Sequence, residues 1–210
     1  MFNSWECSGF LYTIIPVQLF NTIIGSAFSS GINLYLTVAL LGLMQRFNVF
    51  QLPGDLTMLG KTPIIIAAIV AYLIEFVADK VPAVDSIWDS VHTFIRPIGA
   101  AAISYYGMQD QSQVWQLAAT VLAGGVALES HLAKASSRMA INTSPEPVSN
   151  SIASVAEDGI VAFLIFLIAK YPLVAFGVII LMIILGFLII KIFFKLLKKI
   201  FSKKAVNSEM

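Results

Sequence analysis

An all-α, polytopic transmembrane helix bundle of about six membrane segments is what this sequence predicts, each segment needing roughly 20 apolar residues. Three observations lead there. Of 210 residues, 58% are hydrophobic and 12% charged, with a mean hydropathy of +0.86, whereas a soluble domain carries about a quarter charged residues. The apolar residues fall in long runs punctuated by Gly and Pro. The scarce charges cluster: Glu75, Asp79, Lys80, Asp85, Asp89, His92 and Arg96 share one short stretch between very apolar segments. A lipid bilayer is the solvent that suits such a chain. A net charge of +1, without a clustered basic face, excludes nucleic acid as a partner. The single cysteine, Cys7, excludes an internal disulfide and a CxxC metal site.

The elements follow in order. No basic region precedes the first apolar run, and Glu6 stands where Lys or Arg would, so the N-terminal segment reads as retained and not as a cleaved signal. Residues 10–24 and 32–44 are apolar runs on either side of a small-residue patch, 25–31. Each is short for a span, so two tilted helices meet at the patch or one helix breaks there. Residues 63–77 form a clear span with Pro63 at a helix start. Residues 87–106 form a polar-studded span interrupted by Pro97, a residue that kinks helices. Residues 114–135 form the next, and "NTSPEPVSN" (142–150) reads as a capped turn into a new helix. Ser154 and Glu157 fit either a capping box or a polar face. Residues 160–169 complete that span, and 173–194 are the most apolar stretch of all.

The basic end, with Lys191, Lys195, Lys198, Lys199, Lys203 and Lys204, predicts a cytoplasmic C-terminus by the positive-inside bias. Lys80, Lys134 and Arg138 then fall on the cytoplasmic side, and Arg46, Lys61 and Lys170 outside. The chain reads as one integral membrane domain, 1–210, with a tail at 195–210. Two halves, 10–107 and 114–194, look related. Gly31 and Pro53 are 22 apart, as are Gly125 and Pro147, and "DKVP" at Lys80 and Pro82 has a counterpart in "AKYP" at Lys170 and Pro172. Three spans per half make the repeat an inverted one, an architecture of transporters and channels whose site lies near midplane where broken helices meet.

At about 100° per residue, Asp85, Asp89, His92 and Arg96 share one helix face. His131, Lys134, Arg138 and Asn142 share another, and Asn150, Ser154 and Glu157 a third. Glu75 and Asp79 are neighbours one turn apart. Ionised side chains in hydrocarbon cost several kcal/mol each, so these stripes should face one another or water. Three readings are open: buried ion pairs that fix helix register, a transport pathway, or membrane-embedded chemistry. For the last, Asp85, Asp89 and His92 have spacing for three ligands to a divalent metal ion on one helical face.

Three motifs, "GINLYLTVALLGL" (31–43), "EFVADKVPAVDSIWDSVHTFIRPIGAA" (75–101) and "KASSRMAINTSPEPVSNSIASVAED" (134–158), resemble domain of unknown function 4126, a family of small multi-pass membrane proteins. The similarity runs from Gly31 to Pro172. It implies an integral membrane protein, chiefly bacterial and hence of the inner membrane, and brings no reaction, substrate or cofactor. Residues 2–30 and the Lys-rich tail are less typical of the family.

The function expected is a transporter or channel for an ion, proton or small polar solute, lipid headgroups included. Its polar site comprises Glu75, Asp79, Lys80, Asp85, Asp89, His92, Arg96, His131, Lys134, Arg138, Asn142, Glu146, Asn150, Glu157 and Asp158. The alternatives are a metal-dependent membrane enzyme and a structural subunit of a membrane complex, and a homo-oligomer is compatible with all three.

Overall fold

The computed structural model describes residues 17–142 and 147–208, which form six α-helices and no strand. Glu6, Cys7 and Glu146, with the start of the first apolar run, lie outside the described residues. The first two apolar runs make one helix, α1 (Val17–Arg46). It contains a π turn at Asn21–Gly25 and one non-helical residue, Asn33, at φ −148° and ψ 100°. The interruption thus lies two residues beyond the small-residue patch. Asn33 makes it possible: its Oδ1 accepts from the Leu36 backbone N–H at 2.9 Å, capping the second half of the helix as an Asn does at an N-terminus.

The patch itself is a packing surface. A Cβ on Gly31 would overlap the Ala127 carbonyl and the Ser130 hydroxyl of the fourth helix, and one on Gly25 would meet Ile168 and Ile179. Close approach lets Ser130 Oγ donate to the Phe28 carbonyl at 2.8 Å.

A 3-10 segment, Gly54–Gly60, bends by 72° into α2 (Thr62–Ala78). Pro63 sits in the first turn of α2, where its missing N–H costs nothing. A tight turn at Asp79–Val81 reverses the chain into α3 (Pro82–Gly107), which also starts on Pro and runs on through Pro97. Then come α4 (Gln113–Asn142), α5 (Pro147–Lys170) and α6 (Pro172–Ser208). Ser154 lies well inside α5 and is buried, so with Glu157 it belongs to a polar face and not to a capping box. The Lys-rich tail continues α6 as helix.

Among the described residues, three helices are long and apolar enough to cross a membrane: α1, α5 and α6, the last over Pro172–Lys199. The bent pair Gly54–Gly60 and Thr62–Ala78 makes a fourth if taken as one span. At 26 and 30 residues, α3 and α4 have the length. They fall short in apolarity because polar side chains line one face of each.

Helix α1 runs through the middle, packed on α2, α3, α4 and α5, while α3 and α4 share the most extensive contact. One apolar core forms around Ile23, Ala27 and Phe28 of α1, with Leu164, Ile165 and Ile168 of α5 and Ile179 of α6. The outer surface is also apolar: Ile87, Phe94 and Ile98 of α3 and Val121 of α4 are exposed, at 68 to 76%. Charge is inside instead, and Arg96 and Arg138 are the largest fully buried side chains. Gly31→Ala is expected to destabilise the protein by about 1–3 kcal/mol, because the extra methyl meets a backbone carbonyl that cannot yield. Thermal unfolding in detergent checks this.

Candidate functional site

The three polar stripes converge. The tight turn after α2 and the break in α1 bring Glu75, Asp79, Asp89 and Glu157 around Arg96, Lys134 and Arg138. Lys134 Nζ is the hub, 3.3 Å from Asp79 Oδ2, 3.5 Å from Glu157, 3.8 Å from Glu75 and 4.0 Å from Asp89. It also donates to the Ile32 carbonyl at 3.3 Å. That carbonyl would pair with the Leu36 N–H in an unbroken helix, but Asn33 has taken the donor. The break in α1 thus turns a backbone oxygen into a ligand for a buried ammonium.

Arg96 is held similarly. Its Nη2 donates to Glu75 Oε1 at 2.6 Å and lies 3.5 Å from Asp89. Its Nη1 donates to the Gly31 carbonyl at 3.1 Å and to His131 Nδ1 at 2.7 Å. A guanidinium only donates, so His131 Nδ1 accepts and its proton sits on Nε2, directed at the Asp89 carbonyl (3.1 Å) and Thr93 Oγ1 (3.0 Å). His131 is therefore neutral. His92 is held at both nitrogens: its Nδ1 donates to the Trp88 carbonyl at 2.8 Å, and its Nε2 lies 3.0 Å from the Tyr35 hydroxyl. The His92 ring stacks on Trp88 at 4.6 Å.

Arg138 closes the far end. It grips Glu157 through Nε (3.0 Å) and Nη2 (2.8 Å), and its Nη1 donates to Asn150 O at 2.9 Å and to Asn150 Oδ1 at 2.5 Å. The Asp79 carbonyl, at the C-terminal end of α2, accepts from Asn150 Nδ2 (2.7 Å) and from Arg138 Nη1 (3.4 Å). A helix end with orphan carbonyls and a negative dipole pole is where a cation is best placed. Asp158 is a satellite, accepting from Asn33 Nδ2 and Tyr72 Oη, both at 3.0 Å.

Charge does not balance here. Glu75, Asp79, Asp89 and Glu157 form the ion pairs, Asp85 bears electrostatically on Arg138 and Asp158 on Lys134, against Arg96, Lys134 and Arg138 and, acting on Asp158 and Asp79 from the edge, Lys80. Six carboxyl groups thus face four Lys and Arg side chains, with His131 neutral. Beside the network, a cleft of about 270 Å³ between α3 and α4 is lined by Asp85, Ser86, Asp89, Ser90, Thr93, Ala135, Arg138 and Met139. Ser86, Ser90 and Met139 are exposed there, so the cleft connects buried Asp89 and Arg138 to the outside.

Of the residues the sequence singles out, Lys80 sits at the edge: it donates to the Phe76 carbonyl at 2.9 Å, lies over the Phe76 ring and bears electrostatically on Asp158 and Asp79. Asn142 is the last described residue of α4. The spacing of Asp85, Asp89 and His92 does not produce a metal centre. Among the described residues no three His, Cys, Asp or Glu side chains converge on a point that an ion could occupy, and both His92 nitrogens are engaged. Asn33, Tyr35, Tyr72 and the carbonyls of Gly31 and Ile32 are participants that sequence reasoning missed. The one available signal was Asn33, an amide in an otherwise apolar run.

The family model described as "Domain of unknown function (DUF4126)" matches residues 21–192. The chain belongs to this family. The DUF4126 match takes in the whole network, together with ten residues before Gly31 and much of α6, stretches that the three motifs alone left out. No curated protein and no solved structure matches the chain.

Removing one partner of a buried pair strands the other, at a cost of about 3–5 kcal/mol. Glu75→Ala, which leaves Arg96 without its shortest contact, is expected to lose about that much in a detergent unfolding titration. Asn33→Ala, which removes the cap, loses about 1 kcal/mol, plus whatever the freed Asp158 contact contributes.

Proposed function

We propose that this is a multi-pass membrane protein that passes a cation or a proton through the buried network, using the cleft at Asp85, Asp89 and Arg138 as its entrance. The observation that carries the reading is the excess of carboxylates over cations beside an open polar cleft. Uncompensated charge of one sign is costly in a low-dielectric interior, so the excess is met by bound protons or by a cation entering from the cleft. Asp89 is the residue that most directly joins the two: it lines the cleft and also pairs with Arg96 and Lys134. Arg96, Lys134 and Arg138 hold the carboxylates in place and set how many extra positive charges the site accepts.

Six membrane segments are part of the proposal. Besides the strongly apolar helices, α3 and α4 turn their polar faces inward and large apolar side chains outward, as lipid-exposed helices do. The matching Lys–x–Pro junctions before α3 and α6, where each helix begins on its Pro, support two related halves of opposite orientation. The exposed Lys191, Lys195, Lys198 and Lys199 on α6 support a cytoplasmic C-terminus, in a bacterial inner membrane by the family's character.

The completeness of the Arg138 contacts favours a second reading, in which the network only fixes helix register. Proteoliposome flux separates the two. The transport reading expects proton or monovalent-cation flux that falls about tenfold or more in Asp89→Asn, the loss of one interaction of about 1.4 kcal/mol with the ion. No flux from the wild type, with Asp89→Asn and Arg138→Gln changing only the unfolding midpoint, leaves the register reading in its place.

A further inference from the structure

A carboxyl group outside the network has a different character. Glu129 stands on α4 two residues before His131, roughly 200° round the helix from it, so it faces away from Arg96 and towards α6. It is 6% exposed, and neither carboxyl oxygen finds a hydrogen-bond partner among the described residues. It occupies the place of a missing side chain: a Cβ on Gly186 of α6 would overlap Glu129 Oε1. Gly186 lies in the most apolar of the candidate spans.

The charged groups of the helices packed against α4 are committed elsewhere. Glu75, Asp79, Asp89, Arg96, Glu157 and Asp158 serve the network, as do His131 and Lys134 of α4 itself. On α6, Lys191 is five residues beyond Gly186 and exposed. Among the described residues no charged side chain bears on Glu129 electrostatically; burial alone acts on it. An isolated carboxylate in such surroundings costs far more than its neutral acid, and a group that can take up a proton does so instead of bearing that cost.

We propose that Glu129 is a buried proton-binding site at the α4–α6 contact, whose carboxyl group holds H⁺ into the neutral range and gives it up as the pH rises further or when α6 separates from α4. The step is COOH to COO⁻ plus H⁺, with no redox partner. It stands whether or not the network moves a solute, since none of the network's residues takes part.

Infrared pH titration of the purified, lipid-reconstituted chain tests it. The expected result is a neutral-carboxyl C=O band that persists at pH 7, well above the ordinary glutamate pKa of about 4.3, and is lost in Glu129→Gln. Absence of the band in the wild type at pH 7, or its survival undiminished in Glu129→Gln, overturns the proposal.

Labelling of the unmodified protein with dicyclohexylcarbodiimide needs no variant. The acid proton moves to a carbodiimide nitrogen, the carboxyl oxygen adds to the central carbon, and nothing leaves. An adduct mapped to Glu129 by peptide mass spectrometry, forming at neutral pH and fading as pH rises, supports the proposal. An adduct at Glu129 whose yield does not fall as the pH is raised overturns it.

Discussion

Three buried cations govern this fold. Arg96, Lys134 and Arg138 are buried, and each must be surrounded by oxygens or it would unfold the protein around it. Meeting that requirement recruits carboxylates from α2, α3 and α5 and backbone carbonyls from α1. The break in α1 and the tight turn after α2 are the local means of delivering those oxygens. Both are small departures from regular helix, and both would be liabilities without the charges that use them.

The result is a protein with its polarity turned inward. Large aliphatic and aromatic side chains cover the outside of α2 through α6, while ionised groups and amides crowd the centre at one end of the bundle. At the other end a conventional apolar core, centred on Phe28, Ile165 and Ile168, holds α1 against α5 and α6. The division of labour is physical. Dispersion and close packing at small residues such as Gly25 and Gly31 set the distances between helices, and the ion pairs set their rotation, because a guanidinium accepts only a few orientations of its partners.

Much of this was legible in the residues. A 100° periodicity is enough to align Asp85, Asp89, His92 and Arg96 on one face and His131, Lys134 and Arg138 on another. The cost of exposing them to lipid is enough to say that they meet. Prolines at 63, 82 and 172 mark helix starts because proline needs no donor there. What stayed hidden depended on the backbone. The exact place where α1 breaks follows from one amide, Asn33, competing with the helix for the Leu36 N–H, and the Gly/Ser patch before it gives a stronger but misleading signal. Tyr35, Tyr72 and the carbonyls of Gly31 and Ile32 join the site through tertiary placement that no spacing encodes. Conversely, Asp85, Asp89 and His92 have metal-ligand spacing, yet His92 is turned to Tyr35 and Trp88 instead.

The pairing pattern also has a bearing on biogenesis. Asp79 precedes Lys134 by 55 residues and Arg138 by 59, and Asn33 precedes Asp158 by 125. A ribosome therefore delivers the α2–α3 hairpin, with most of the acids and Arg96, well before Lys134 and Arg138. The charge network can therefore close only once α4 and α5 have emerged.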